Sequence, residues 1–355
     1  LALFSKFRGF RQHFDECGKE DSVITVTLYV RKNDVRCLEV QEDLKALQVQ
    51  IPHQVALIDV DTDAVLAQRY GETLPVVQVG PYVLRSPFTL QELQVVLGAA
   101  RDRLEHLDQI GDKAYERRRE QAMHWSGFDT FALWFSNHYM WVISFLLALY
   151  VGLPFLAPVM MKSGATGAAN VIYAIYRPLC HQLPYRSVFL YGEQPFYPRE
   201  LAGVAGYRSF EQATGMDVFD VVTVRYFVGN DTMGYKVALC ERDIAIWGAL
   251  LLGGILFALT GRRWKSLNFW VWVLIGLIPI GLDGGSQLLG FLTNMPAWVP
   301  VRESTPWLRF LTGALFGFTT AWFMFPLIEE NMSENRRVLL QKKTVLAQVG
   351  AKNAN

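Results

Sequence analysis

Cysteine is scarce in this chain. Its 355 residues hold four, Cys17, Cys37, Cys180 and Cys240, too few and too scattered for a disulfide scaffold. Charge of one sign is also lacking: the formal net charge is +1, so there is no domain-wide basic field and nucleic acid is excluded as a partner. No nucleophile elbow, phosphate-binding loop or metalloprotease motif occurs, so no reaction is specified by motif. No cleavable signal peptide is legible after Leu1.

Apolar residues, by contrast, are abundant. They make up 51% of the chain, with 10 Trp and a mean hydropathy of +0.17, high for a purely soluble protein. They are unevenly placed, because residues 1–124 are ordinary and long uncharged runs begin only after Trp125. A bilayer needs about 20 apolar residues per spanning helix. Four stretches meet or approach that length: 139–161, 244–260, 267–292 (interrupted by Asp283) and 310–328. Gly164–Tyr176 is too short and reads as a re-entrant or interfacial piece. Basic clusters at Lys113 and Arg117–Arg119, at Arg262, Arg263 and Lys265, and at Arg336, Arg337, Lys342 and Lys343 fall on one side if there are four spans. That places both termini in the cytoplasm of a multi-pass plasma-membrane protein and puts 162–243 in an outer loop.

Before the membrane half, Val23–Val30, Gln54–Val60, Val76–Val79 and Tyr82–Leu84 read as strands. Cys37–Leu47, Ala64–Tyr70 and Thr89–Ala99 read as helices. With TLYVRKNDVRC and TLPVVQVG, this order resembles the thioredoxin and glutaredoxin-like fold over residues 22–100, with Pro75 at the place of the family's cis-proline. The resemblance implies a Cys-x-x-Cys after the first strand, whose helix N-terminus would activate the first thiol. Here the four residues are Asp34-Val35-Arg36-Cys37, so dithiol oxidoreductase activity is expected to be absent. Asp34 would cap the helix, and Cys37 is a leftover residue or a lone thiol. A thioredoxin fold without its dithiol points to a docking module for a protein partner on the cytoplasmic side.

Flanking segments are of three kinds. Residues 1–21 space Phe4, Phe7, Phe10 and Phe14 in a basic amphipathic pattern that suits either membrane lipids or protein packing. Residues 101–137 form a charged linker followed by an aromatic, interfacial helix. The membrane domain covers 138–330, and 331–355 reads as a cytoplasmic tail.

Polar residues beside hydrocarbon are costly and tend to be functional. They occur as Cys180-His181-Gln182 with Arg186, as Cys240-Glu241-Arg242-Asp243, as Asp283 with Gln287, and as Glu303 with Arg309 and Thr312; on the four-span reading all lie toward the outer face. The motifs CHQLPYRS, CERDIAIWG, PIGLDGGSQLLG and STPWLRFLTGALFG resemble a predicted bacterial and archaeal membrane domain of unknown function over Asn170–Glu330, with an added hydrophilic insert around Pro195–Asp231. The resemblance supplies no activity.

For Cys180, His181 and Cys240 three readings stand. They are a zinc or other metal site completed by Asp243, Glu193 or water, a Cys180–Cys240 disulfide, or free thiols packed as small apolar groups. Asp283 with Arg309 or Arg242 is a helix-joining ion pair. Alternatively, Arg186, Arg242 and Arg309 bind an anionic headgroup, with Asp283 or His181 as acid or base. Three function classes follow. The first is an accessory or scaffold subunit of a membrane complex. The second is a membrane enzyme, with or without a metal, acting on a lipid or lipid-linked substrate at the outer leaflet. The third is a small transporter whose helix breaks are at Gly152, Pro154, Pro158 and Gly284-Gly285.

Overall fold

A computed structural model describes residues 24–62, 66–67, 70–110, 124–289 and 302–353. The expected amphipathic segment 1–21 and most of the expected helix near Ala64–Tyr70 lie outside them. The chain divides into two compact units, Leu1–Asn137 with Glu330–Asn355, and His138–Glu329.

The first unit is α/β. Its order is β1 (Ile24–Val30), α1 (Val35–Leu47), β2 (His53–Asp59), β3 (Val76–Val79), β4 (Tyr82–Arg85) and α2 (Leu90–Ile110). The sheet runs β2-β1-β3-β4, with β1 parallel to β2 and antiparallel to β3, so that Leu28 faces Leu57 on one side and Val77 on the other. The strands are rich in β-branched residues that fit a pleated surface. Val26, Leu28, Val77 and Val79 are buried with Leu44 of α1 and Leu93 and Leu97 of α2. Helix α2 opens on a reciprocal cap, the Thr89 amide donating to Glu92 Oε2 at 2.7 Å and the Glu92 amide to Thr89 Oγ1 at 3.2 Å. The Leu74–Pro75 peptide is cis.

β1 is covered on its other face too. Alternation puts Thr27 and Tyr29 there. Both are fully buried, against the last helix of the chain, Pro306–Asn353, numbered α9 below. Arg337 donates to the Tyr29 hydroxyl at 2.8 Å and to Gln78 Oε1 at 3.2 Å, and Gln341 donates to Thr27 Oγ1. Residues 331–353 are therefore not a tail but the end of a packed helix, because Arg337 and Gln341, four apart, share the face that meets the sheet.

The second unit is built on long apolar helices. These are α3 (Gly127–Lys162), α7 (Glu241–Leu259), α8 and the first part of α9; α8 joins Phe269–Val271, a π-helical stretch Trp272–Leu277, and Ile278–Leu289. Four helices among the described residues are long and apolar enough to cross a membrane, and at most 33% of any of their apolar windows is covered by the protein itself. Side chains such as Leu252, Leu259, Trp270 and Leu274 are exposed, as a lipid solvent requires and water does not. The expected interfacial helix and first span are one helix, α3, which passes through Pro154 and Pro158 without a break.

Between α3 and α7 the chain is folded rather than a loose loop. Gly164–Tyr176, read as re-entrant or interfacial, holds helix α4 (Thr166–Tyr176). Then come β5 (Ser187–Leu190), two short helices, α5 (Phe210–Thr214) and α6 (Val221–Tyr226), β6 (Gly229–Asn230) and β7 (Gly234–Cys240), with β7 central in a β5-β7-β6 sheet. Tyr185, Phe189, Tyr197, Phe210, Val224 and Met233 form its core. The supposed hydrophilic insert supplies Tyr197, Phe210 and Val224 of this core, which is why it folds.

Helices α7 and α9 run parallel with one register throughout. Glu241 meets Arg309, a separation of 68 residues. Four residues on, a Cβ at Gly313 would lie 2.9 Å from Ala245 Cβ; at Gly317 it would lie 2.1 Å from the Ile246 carbonyl oxygen and 3.1 Å from Ala249 Cβ; at Gly253 it would lie 2.5 Å from Ala321 Cβ. Phe257 and Phe325 then stack at 6.3 Å. A spacing of four repeats one helix face, and small residues there let two backbones approach within the membrane.

Candidate functional site: the corner from Cys240 to Asp243

β7 ends and α7 begins at Cys240, whose extended backbone (φ −76°, ψ 159°) makes it the N-cap of the helix. Successive residues on a helix turn by about 100°, so the next three side chains diverge and each meets a different partner.

Glu241 accepts from Arg309 Nη1 at 3.1 Å. Arg309 also holds Glu303, and Glu303 receives Arg186 through two parallel bonds of 2.9 and 3.0 Å and Arg199 at 3.5 Å. Three guanidiniums thus share two carboxylates, with Arg309, Glu241 and Glu303 buried. Arg242 pairs with Asp283, which Arg302 also reaches at 3.3 Å. Gln287, one turn below, donates to the Asp283 carbonyl at 2.7 Å, and Thr312 bonds back to the Leu308 carbonyl at 2.8 Å.

Of the two partners expected for Asp283, Arg242 is the one it meets and Arg309 is not, because helix α7 presents Arg242 to α8 and Glu241 to α9. Arg186, Arg242 and Arg309 are not open anion receptors either, since a protein carboxylate occupies each fork. For the same reason Asp283 and Arg309, taken as catalytic candidates, are tied into ion pairs. The helix breaks suggested for a transporter are absent too, α8 continuing through Gly284 and Gly285 as α3 does through its prolines.

Asp243 turns back to its own cap, with Cys240 Sγ 3.2 Å from its Oδ2. Cys180 joins them. The donor atoms of Cys180, Cys240 and Asp243 all lie within 4.8 Å of one another, and both thiols are free. Contact with Cys240 holds the Cys180 thiol below its usual range, while the same contact and burial push Cys240 up. His181 is exposed and outside this group, which corrects the adjacent Cys-His ligand pair: neighbours in a non-helical stretch point apart. Glu193 is exposed as well, its amide donating to the Thr232 carbonyl at 3.1 Å.

What fixes Cys180 is a set of residues to which the sequence assigned no role: Gln182, Tyr173 and Lys236. Its amide donates to the Tyr176 carbonyl at 2.9 Å. Gln182, buried at φ 53°, bridges the carbonyls of Tyr173 (3.0 Å) and Ala238 (3.1 Å), and the Tyr173 hydroxyl donates to the Lys236 carbonyl at 2.6 Å. Lys236 is fully buried. Its ammonium donates to the carbonyls of Gln182 (2.6 Å) and Arg225 (2.8 Å), and burial lowers its pKa to about 7. The position of Gln182 inside CHQLPYRS was the one available signal.

In the first unit, the Asp34 carboxylate accepts from the amides of Arg36 (2.9 Å) and Cys37 (3.4 Å). The Cys37 thiol is buried in the core, and burial raises its pKa. A capping carboxylate and an inert thiol therefore stand where a redox pair would.

Two family profiles match this chain: the glutaredoxin-like domain (DUF836) over residues 25–97 and the predicted membrane protein family DUF2085 over residues 232–323. The second covers Cys240–Asp243, Asp283, Glu303 and Arg309 but begins after Cys180–Ser187. An uncharacterized protein of Methanocaldococcus jannaschii is 27% identical over 201 residues, 55% of this chain and 94% of that protein. No solved structure matches. The chain is a multi-pass membrane protein that fuses a glutaredoxin-like domain to a membrane domain of unknown function.

Proposed function

We propose that this protein is an accessory subunit of a membrane complex, anchored by its four apolar helices and presenting the glutaredoxin-like domain as a docking module. One observation carries the reading: the domain keeps its sheet, helices and cis-Pro75, yet Asp34 caps α1 and Cys37 is buried. The fold is retained without its chemistry. The membrane domain agrees with an anchoring role, since Arg186, Arg242 and Arg309 are neutralised internally; this weakens the alternative of an enzyme that grips an anionic lipid. On this reading the bilayer is the plasma membrane, lipids and one protein partner are the contacts, and the glutaredoxin-like domain faces the cytoplasm.

The partner surface would include the exposed apolar side chains at the start of α1, Val35 and Leu38. The test is purification of the full chain in mild detergent at native abundance, beside Val35→Arg and Leu38→Glu. A stoichiometric companion that the wild type retains and the variants lose, with unchanged melting of the glutaredoxin-like domain, supports docking. A wild-type chain that runs alone overturns it.

A further inference from the structure

Beyond any docking role, and independently of it, the thiol corner has the makings of a metal centre. Its three donors come from separate places in the sequence: Cys180 follows α4, Cys240 ends β7, and Asp243 lies in the first turn of α7. A tetrahedral zinc ion with Zn–S near 2.3 Å and Zn–O near 2.1 Å sets its donors about 3.6 to 3.8 Å apart. The observed separations, 3.2 Å for Cys240 Sγ to Asp243 Oδ2 and at most 4.8 Å for any pair, need only small side-chain rotations to meet that geometry.

The surroundings suit the charge that results. Two thiolates and a carboxylate on a divalent ion leave one net negative charge. The amide end of the 19-residue α7 lies beneath Cys240 and favours anions. Lys236 donates to the carbonyl of Gln182, two residues from Cys180. No carboxylate among the described residues sits within ion-pair distance of that lysine, which is held instead by the carbonyls of Gln182 and Arg225. The bonds from Gln182 and Tyr173 to β7 hold the cysteine segment in place without metal, so the ligands are preorganised.

We infer that Cys180, Cys240 and Asp243 bind one zinc ion, with a fourth, exchangeable position on the half-exposed side formed by Cys240 and Asp243. On loading, two S–H bonds are replaced by two Zn–S bonds and two protons leave to solvent.

The full chain, purified in detergent with reductant, would be loaded with zinc, dialysed, and analysed for metal beside Cys180→Ser, Cys240→Ser, Asp243→Asn and the control Cys37→Ser. One zinc per chain is expected for wild type and control and none for either thiol variant. Affinity should fall roughly ten- to a hundredfold for Asp243→Asn, a loss that even the outer shell of a metal site can cause. Should the thiol variants fail to fold, cobalt loading of the wild type decides: a thiolate-to-cobalt charge-transfer band with intense tetrahedral d–d bands supports the site. A reduced wild type that binds neither ion, zinc retained by the thiol variants, or a Cys180–Cys240 disulfide that forms in place of metal uptake would each overturn it.

Discussion

Asp34 shows how one residue can keep a fold and remove its chemistry. A carboxylate accepts amide bonds at a helix N-terminus and cannot attack a disulfide, so α1 keeps its cap while the thiol step is lost. Asp34→Ala should cost the domain about 0.5–2 kcal/mol, read as earlier thermal unfolding with faster amide exchange in the first turn of α1. Lys236 works at the same scale. Its folded pKa is depressed to about 7 against about 10.4 in an unfolded chain. Between those values the unfolded state binds more protons, so stability rises with pH from about 7 to about 10 and is lost as pH falls through 7. Thermal melts of the chelator-treated protein across that window should show the rise, by up to a few kcal/mol, and Lys236→Met should flatten it. An unchanged slope in the variant would remove Lys236 as the cause.

At the scale of elements, α7 and α9 form the backbone of the membrane domain, and they are joined by shape more than by charge. Gly317 sits where any Cβ would strike the Ile246 carbonyl. Gly317→Ala should therefore destabilise by about 1–3 kcal/mol, whereas Gly248→Ala, with open space around its Cβ position, should be neutral in the same detergent-denaturation assay. The ion pair above the seam has the opposite logic. Arg309→Met leaves Glu241 buried without its guanidinium and should cost about 3–5 kcal/mol, much of which Arg309→Met with Glu241→Leu should recover. A double variant no better than the single would mean that Arg309 acts mainly through Glu303.

Legibility follows these same physical distinctions. The strands of the first domain and the four apolar helices announce themselves by local pattern as a small α/β domain and a helical membrane domain, whereas the thioredoxin-like fold rests on the resemblance carried by TLYVRKNDVRC and TLPVVQVG. GALFG at Gly313–Gly317 was equally plain, but its partner stripe, Ala245, Ala249 and Gly253, gains meaning only when two helices are laid in register. The pairing of Arg309 with Glu241 rather than Asp283 was not readable, because charges on neighbouring turns differ by a rotation about the helix axis that no single helix fixes. His181 misled through sequence adjacency, and Gln182, though named among the polar residues, had no role assigned because a buried amide stapling two backbones leaves no spacing signature.

For the whole molecule, the first unit constrains the route of the chain. Thr27 and Tyr29 bond to Gln341 and Arg337 within the first unit, so we expect these two segments on one side of a membrane. An even number of crossings between residues 137 and 330 is then expected, which agrees with four apolar helices and with α7 and α9 running parallel. Which side holds the ends is a matter of charge. Arg262, Arg263 and Lys265 follow the second helix, and basic residues in short loops favour the cytoplasm. A membrane-impermeant thiol reagent should therefore label a cysteine placed at the exposed Tyr191 in intact cells, and one placed at the exposed Arg263 only after permeabilisation. The reverse pattern would invert the molecule and put the glutaredoxin-like domain outside. Labelling of both sites in intact cells would break the four-crossing route itself.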